Sequence, residues 1–299
     1  MAMAFKQFLY VFIQAFKELK RNNPLRLAGA TAFFATFALP PLFIILLQFF
    51  GLIVNKEKLG TELFHSLSDT LGKEATIQIQ RVVHGMASLA INPYAAAGGF
   101  LFLLFVATTL FKVIKDSINE LWEIKIQANS GVGPKVFSRL KSLVAIAFAG
   151  ILFFVSLFFD GLQEVIGNYF QNNVSIAAGL LVLIISKSFS LLIVTVWFSL
   201  LFRHLTDAKP VWKVAITGGF ITGILFTIGK AILRQVLPYK DLTSVFGAAG
   251  SFVLILLFLF YSSFILYYGA CFTKMFSIYC HKIIKPREYA FAYEVTEKE

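Results

Sequence analysis

The sequence predicts an all-α, polytopic integral membrane protein: six transmembrane helices, an N-terminal amphipathic helix and short extramembrane helices. Three observations carry this. Of 299 residues, 58% are hydrophobic and only 14% are charged, whereas a soluble domain carries about a quarter charged residues to face water. Several apolar runs approach or exceed the roughly 20 residues that cross a bilayer. The net charge of +11 fits basic loops against anionic lipid better than nucleic-acid binding.

The elements follow in order. Residues 3–21 place Phe5, Phe8, Leu9, Phe12, Phe16 and Leu19 at three- and four-residue steps, with Lys6, Lys17, Lys20 and Arg21 elsewhere. Such a helix lies in the membrane interface or packs on the end of the bundle. The first crossing is expected over 27–51, with Pro40 and Pro41 in its middle. Each proline removes a backbone donor, so a kink or break is expected there. Residues 55–92 read as two short helices outside the bilayer. The second crossing, 95–114, continues as helix into "KVIKDSINELWEIK", and 129–134 form a loop. Crossings are expected over 142–159, 175–202, 211–232 and 247–277. Residues 1–282 make a single membrane domain and 283–299 a polar, mobile cytoplasmic tail.

Six crossings put both termini on one side. The N-terminus, the 112–141 and 203–213 loops and the C-terminal stretch hold most of the 27 Lys and Arg. Positive loops stay in the cytoplasm, so both termini are expected there. No internal repeat is visible, so an inverted-repeat transporter is not supported. The N-terminal patch is broken by Lys6, Gln14, Lys17 and Lys20 and lacks a signal-peptide core. Cys271 and Cys280 are nine residues apart on one predicted helix and face opposite sides, which argues against a disulfide between them.

Three stretches resemble the YihY/BrkB family of bacterial inner-membrane proteins, formerly labelled ribonuclease BN. They are "AGATAFFATFALPPLFIILL" at 28–47, "INELWEI" at 118–124, and "TDAKPVWKVAITGGFITGILFTIGKAIL" at 206–233 leading into "FGAAGSFVLILLFLFYSSFILYYGACFTK" at 246–274. The likeness covers about residues 5–280. It implies a six-helix inner-membrane protein linked to envelope integrity, serum resistance and lipid handling, with no demonstrated reaction. The family's closing Gly-Ala-Glu reads Gly269-Ala270-Cys271 here, so no role of that Glu carries over. The sixth crossing also lacks the Trp often found in it.

The sharpest single residue is Lys187, deep in an apolar run from Ile176 to Phe202. A charge at mid-bilayer costs about 2.5–3.5 kcal/mol on insertion scales and by default marks function. It is expected to anchor an anionic head group, with Asp160 and Glu164 as candidate partners; a structural lysine is the alternative. Pro40, Pro41 and Gln48 complete the expected substrate site, since an interrupted helix can line a cavity. A packing kink is the alternative there. Gly219 and Gly223 hold the small-xxx-small spacing of close helix packing. Asn119 and Trp122 read as an interfacial anchor.

His65, His84, His204 and His281 lack metal-ligand spacing. No phosphate loop, nucleophile elbow or zinc-protease motif is present, and a metal-dependent nuclease would need clustered carboxylates. No catalytic residue, metal or cofactor is therefore expected, and the ribonuclease label is discounted. The expected function is a transporter or flippase-like protein for an amphiphilic, anionic envelope molecule. The alternatives are a non-catalytic membrane scaffold for envelope integrity and, third, a membrane-bound hydrolase. Membrane lipids and the amphiphile are the expected partners. No specific nucleic acid is expected, and a homo-oligomer stays open.

Overall fold

The computed structural model describes residues 5–50, most of 60–68, 73–88, 93–127, positions 144, 148, 151 and 152, 176–236 and 250–293. The chain is an all-α membrane protein. Seven helices longer than ten residues dominate the described residues: α1 (Phe5–Arg21), α2 (Pro24–Phe50), α3 (Lys73–Ser88), α4 (Pro93–Leu121), α5 (Ile176–Leu200), α6 (Trp212–Val236) and α7 (Gly250–Tyr279). Three apolar stretches among them are long enough to cross a membrane: Lys187–Leu205, Trp212–Leu233 and Phe252–Tyr279. The expected third crossing lies almost wholly outside the described residues.

Local chemistry fixes the helix ends. The α1–α2 corner reads Arg-Asn-Asn-Pro. Asn22 donates from its side chain to the Glu18 carbonyl, closing the end of α1. Asn23 takes a left-handed φ of 50°, which Asn tolerates better than most residues. Pro24 then opens α2, where its missing N–H costs nothing. Pro40 and Pro41 do not break α2, which runs on to Phe50. Of the expected kink or break, the break is absent: two missing ladder bonds are tolerated where the helix is held by neighbours, and α2 packs along α7 and α4.

α7 is the hub. It packs against α2, α6 and α1, and touches α3 and α4. α5 packs on α6, while α4 packs on α2. Two helix groups, α2/α4 and α5/α6, thus flank α7. The α5–α6–α7 seam is built from small residues. A Cβ on Gly219 would stand 2.7 Å from the Ser199 nitrogen and 2.8 Å from the Thr195 carbonyl oxygen. One on Gly223 would stand 3.1 Å from Thr195 Oγ1, and one on Gly269 would stand 2.9 Å from Thr222 Cβ. Only glycine lets these backbones approach so closely. Buried Tyr267 of α7 meets Thr31 of α2 through their hydroxyls.

α1 packs on the C-terminal part of α7. Gln7 meets Tyr279, Phe12 meets Tyr268 and Phe272, and Glu18 meets Lys274. These contacts join residues 7–18 of α1 to residues 268–279 of α7, stretches of equal length. Val11, Ala15 and Leu19 are buried on this side, while Leu9, Ile13 and Phe16 stay exposed. At the other end of α7, Ala75, Ile79 and Val83 of α3 cluster with Leu63 and Ile255.

Two short antiparallel pairs close the basic end. β1 (Ile124–Ile126), after α4, pairs with β4 (Ala290–Ala292). β2 (Ala208–Lys209), after α5, pairs with β3 (Lys285–Pro286). The expectation of a mobile tail from 283 is corrected: the chain is tied down to residue 293. The backbone donors and acceptors of 285–292 find partners in the links that follow α4 and α5, which the polar composition alone does not reveal.

Candidate functional site

The most unusual chemistry lies where α4, the α5–α6 link and the C-terminal strap meet. α4 presents Ile114, Ile118 and Leu121 to the interior, all buried. On that side, Lys115, Asn119 and Trp122 follow at four- and three-residue steps and are buried with them. α5 ends in a single π turn, Leu201–Leu205, and Thr206 leaves it extended at φ −74°, ψ 162°. Such turns recur at functional sites. The Thr206 hydroxyl donates back to the Phe202 carbonyl at 2.8 Å. This exit turns Asp207 inward.

Asp207 is the centre. Lys115 Nζ lies 3.0 Å from Asp207 Oδ2, with the two side chains only 2% and 1% exposed. Asn119 clamps the same residue twice: its Nδ2 donates to Oδ2 at 2.7 Å, and its Oδ1 accepts from the Asp207 backbone N–H at 3.0 Å. The Tyr289 hydroxyl donates to Asp207 Oδ1 at 3.1 Å. Arg287 ties the strap down. Its backbone N–H donates to the Asp207 carbonyl, and its guanidinium donates to the Thr206 and Arg203 carbonyls. Burial raises the Tyr289 phenol above its ordinary value, the Asp207 charge raises it further, and Arg287 opposes both.

A buried ion pair is weak evidence for stability, because dehydrating two charges offsets their attraction. Its attested use is as a register device or switch. α4 and α5 do not pack along their length among the described residues. They meet through Phe111–Trp197 and Trp122–Phe202 ring contacts and through this node. The node is therefore a latch across the end of two helix groups. Beside it, Trp122 Nε1 donates to the Ala270 carbonyl at 2.9 Å, and Lys274 bridges Glu18 and Glu123 at 2.6 and 3.2 Å.

The structure brings some sequence-predicted residues together and leaves others apart. Asn119 sits in the node, and Trp122 beside it anchors α4 to α7. Gly219 and Gly223 lie in the α5–α6 seam. Lys187 stands exposed on α5, with Ile184, Ile185 and Leu192 also exposed. Pro40 is half-buried in α2. Pro41 and Gln48 lie on α2, but their side chains are outside the described residues, as are Asp160 and Glu164. Lys115, Asp207, Arg287 and Tyr289 were missed. A signal existed for the first two: Lys115 is one turn from Asn119, and Asp207 belongs to the quoted "TDAKP". The pairing across 82 residues to Tyr289 left no local trace. Among the described residues, no group of three or more His, Cys, Asp or Glu is placed to hold a metal, and both cysteines are free thiols.

The profile of the family described as "Virulence factor BrkB" matches residues 15–285. The chain is 24% identical over 276 residues to a UPF0761 membrane protein of Mannheimia succiniciproducens, covering 90% of each chain. It is 24% identical over 279 residues to one of Haemophilus influenzae, covering 90% of this chain and 94% of that one. It is also 24% identical to one of Teredinibacter turnerae over 87% of this chain but only 59% of that longer protein. No solved structure matches.

Proposed function

The chain belongs to the Virulence factor BrkB family, and from that premise we propose that it moves an anionic amphiphile, a lipid or other envelope molecule, along the outer wall of α5. The observation that carries this reading is the buried Lys115–Asp207 pair. It latches α4 to α5 at one end, where the two helices otherwise share little packing. Repacking of ion pairs at an interface is one way that packed bodies switch, and this pair lies between two helix groups. Lys187, exposed among apolar side chains about 27 Å of helix from Leu205, supplies a cation for a headgroup at the far end of that apolar stretch.

The reading is non-enzymatic. It places the chain in the bacterial inner membrane with six crossings. The basic end, where α1, the α4 exit, the α5–α6 link and the strap meet, lies in the cytoplasm, following the positive-inside rule. Membrane lipids and the amphiphile are its partners; a homo-oligomer is compatible with it.

The test is headgroup movement in proteoliposomes, with fluorescent phosphatidylglycerol as the probe and a membrane-impermeant quencher as the readout. Lys187→Met is expected to abolish movement with an unchanged melting temperature. Movement at the wild-type rate in that variant removes Lys187 from the path. A second reading, a non-transporting scaffold, is favoured by one observation: the glycine seam between α5, α6 and α7 leaves no room for a Cβ at Gly219. A scaffold gives no movement with either protein.

A further inference from the structure

Three apolar spans end or begin at one level: Leu205, Trp212 and Tyr279. Within six residues of these ends the chain places Lys209, Lys213, Lys282 and Lys285, all exposed. Lys209 and Lys285 are direct partners across the β2–β3 pair. Like charges directly opposite in an antiparallel pair repel, so the ladder as built favours an anion bound over it. Among the described residues, none of these four ammonium groups pairs with a carboxylate. Arg203 and Arg287 are different: both are committed to backbone carbonyls. Glu288 is the one exposed acid on the adjoining strap turn.

The patch is also apolar. Val211, Trp212, Ile278 and Ile283 are exposed large side chains at the same level, and Ile283 is 71% exposed. Trp212 is held by the Arg203 guanidinium 4.5 Å from its ring centre and by the His204 ring. Lysines interleaved with Trp and Ile at the ends of apolar spans match the headgroup layer, where Trp is favoured and basic side chains meet phosphate. A nucleic acid would call for the charges without the aliphatic side chains.

We propose that the β2–β3 ladder and its flanking lysines form a docking surface for anionic phospholipid headgroups. Lys209 and Lys285 share a headgroup phosphate, Lys213 and Lys282 flank it, and Trp212 and Ile283 enter the acyl boundary. The proposal stands independently of transport.

Native mass spectrometry of the full chain, extracted in mild detergent and titrated with phosphatidylglycerol or phosphatidylcholine, tests it. The wild type is expected to retain phosphatidylglycerol selectively. Lys209→Gln with Lys285→Gln is expected to weaken that retention about fivefold per lysine removed. In phosphatidylcholine alone the double variant is expected to melt no lower than wild type, since a repulsion has been removed. Equal phosphatidylglycerol retention by both proteins overturns the proposal. So does tight binding of a short RNA with no preference between the two lipids. Lys187→Met separates the two readings: lost headgroup movement with intact phosphatidylglycerol retention leaves this surface standing.

Discussion

Asp207 shows how one carboxylate can organise a membrane protein's polar end. Its two oxygens accept from Lys115, Asn119 and Tyr289, so every charge in the node has a partner. Asp207→Asn leaves the buried Lys115 ammonium with the longer 3.7 Å contact to half-exposed Asp116 in place of its buried carboxylate and is expected to cost about 3–5 kcal/mol, read as a lower melting temperature in detergent. Adding Lys115→Met removes that charge, while the amide oxygen accepts from Asn119 and the amide NH2 donates to the Tyr289 hydroxyl, reversing that bond. Most of the stability is then expected to return; a double variant as unstable as Asp207→Asn argues against the ion pair as the cause. Tyr289 gives a pH readout. Its phenol titrates above the ordinary value of 10.0, so the folded state favours the neutral form. That contribution is present below the ordinary value and is lost as pH rises through the folded one. An ultraviolet titration of wild type minus Tyr289→Phe is expected to show a phenol ionising later than free tyrosine; ionisation near 10 contradicts the burial described. Sequence reached Asn119 because its spacing from Trp122 is local. It missed Tyr289 because nothing in a chain marks a contact made through a returning strap.

The elements divide by what determines them. α4, α5, α6 and α7 run close to the sequence-predicted segments because their apolar runs are long and their ends carry turn residues or charge. α2 runs through Pro40 and Pro41 without a break, where packing against α7 and α4 offsets the local loss of hydrogen bonds. The α5–α6 seam is decided by absent side chains. Gly219→Ala is expected to destabilise by about 1–3 kcal/mol, because its methyl meets the Thr195 and Ser199 backbone. Gly29→Ala on α2 meets nothing within 4 Å and is expected to be neutral or stabilising by up to about 1 kcal/mol. Thermal melts of the two variants side by side check this; equal effects would show that the seam is looser than its geometry. The Gly-x-x-x-Gly spacing was legible. Which helix it faces was not, since α6 borders both α5 and α7.

At the scale of the whole molecule, α1, the exits of α4, α5 and α7, and the entries of α2 and α6 gather at one basic end. The C-terminal strap stitches that end together through two strand pairs. Composition made the membrane class plain, and the distribution of Lys and Arg marked the end where polar chemistry concentrates. The strap was hidden because short polar segments carry no periodicity of their own; their order comes from partners far away in sequence. The central claim is that the Lys115–Asp207 latch gates movement between the two helix groups. With Lys115→Met and Asp207→Asn no opposite charges are left to separate in the low-dielectric interior, so opening costs less. The measurement is the rate of fluorescent phosphatidylglycerol movement in proteoliposomes bearing wild type or the Lys115→Met, Asp207→Asn double variant at matched melting temperature. The account predicts movement several-fold faster in the double variant; identical rates, or none in either protein, would contradict it.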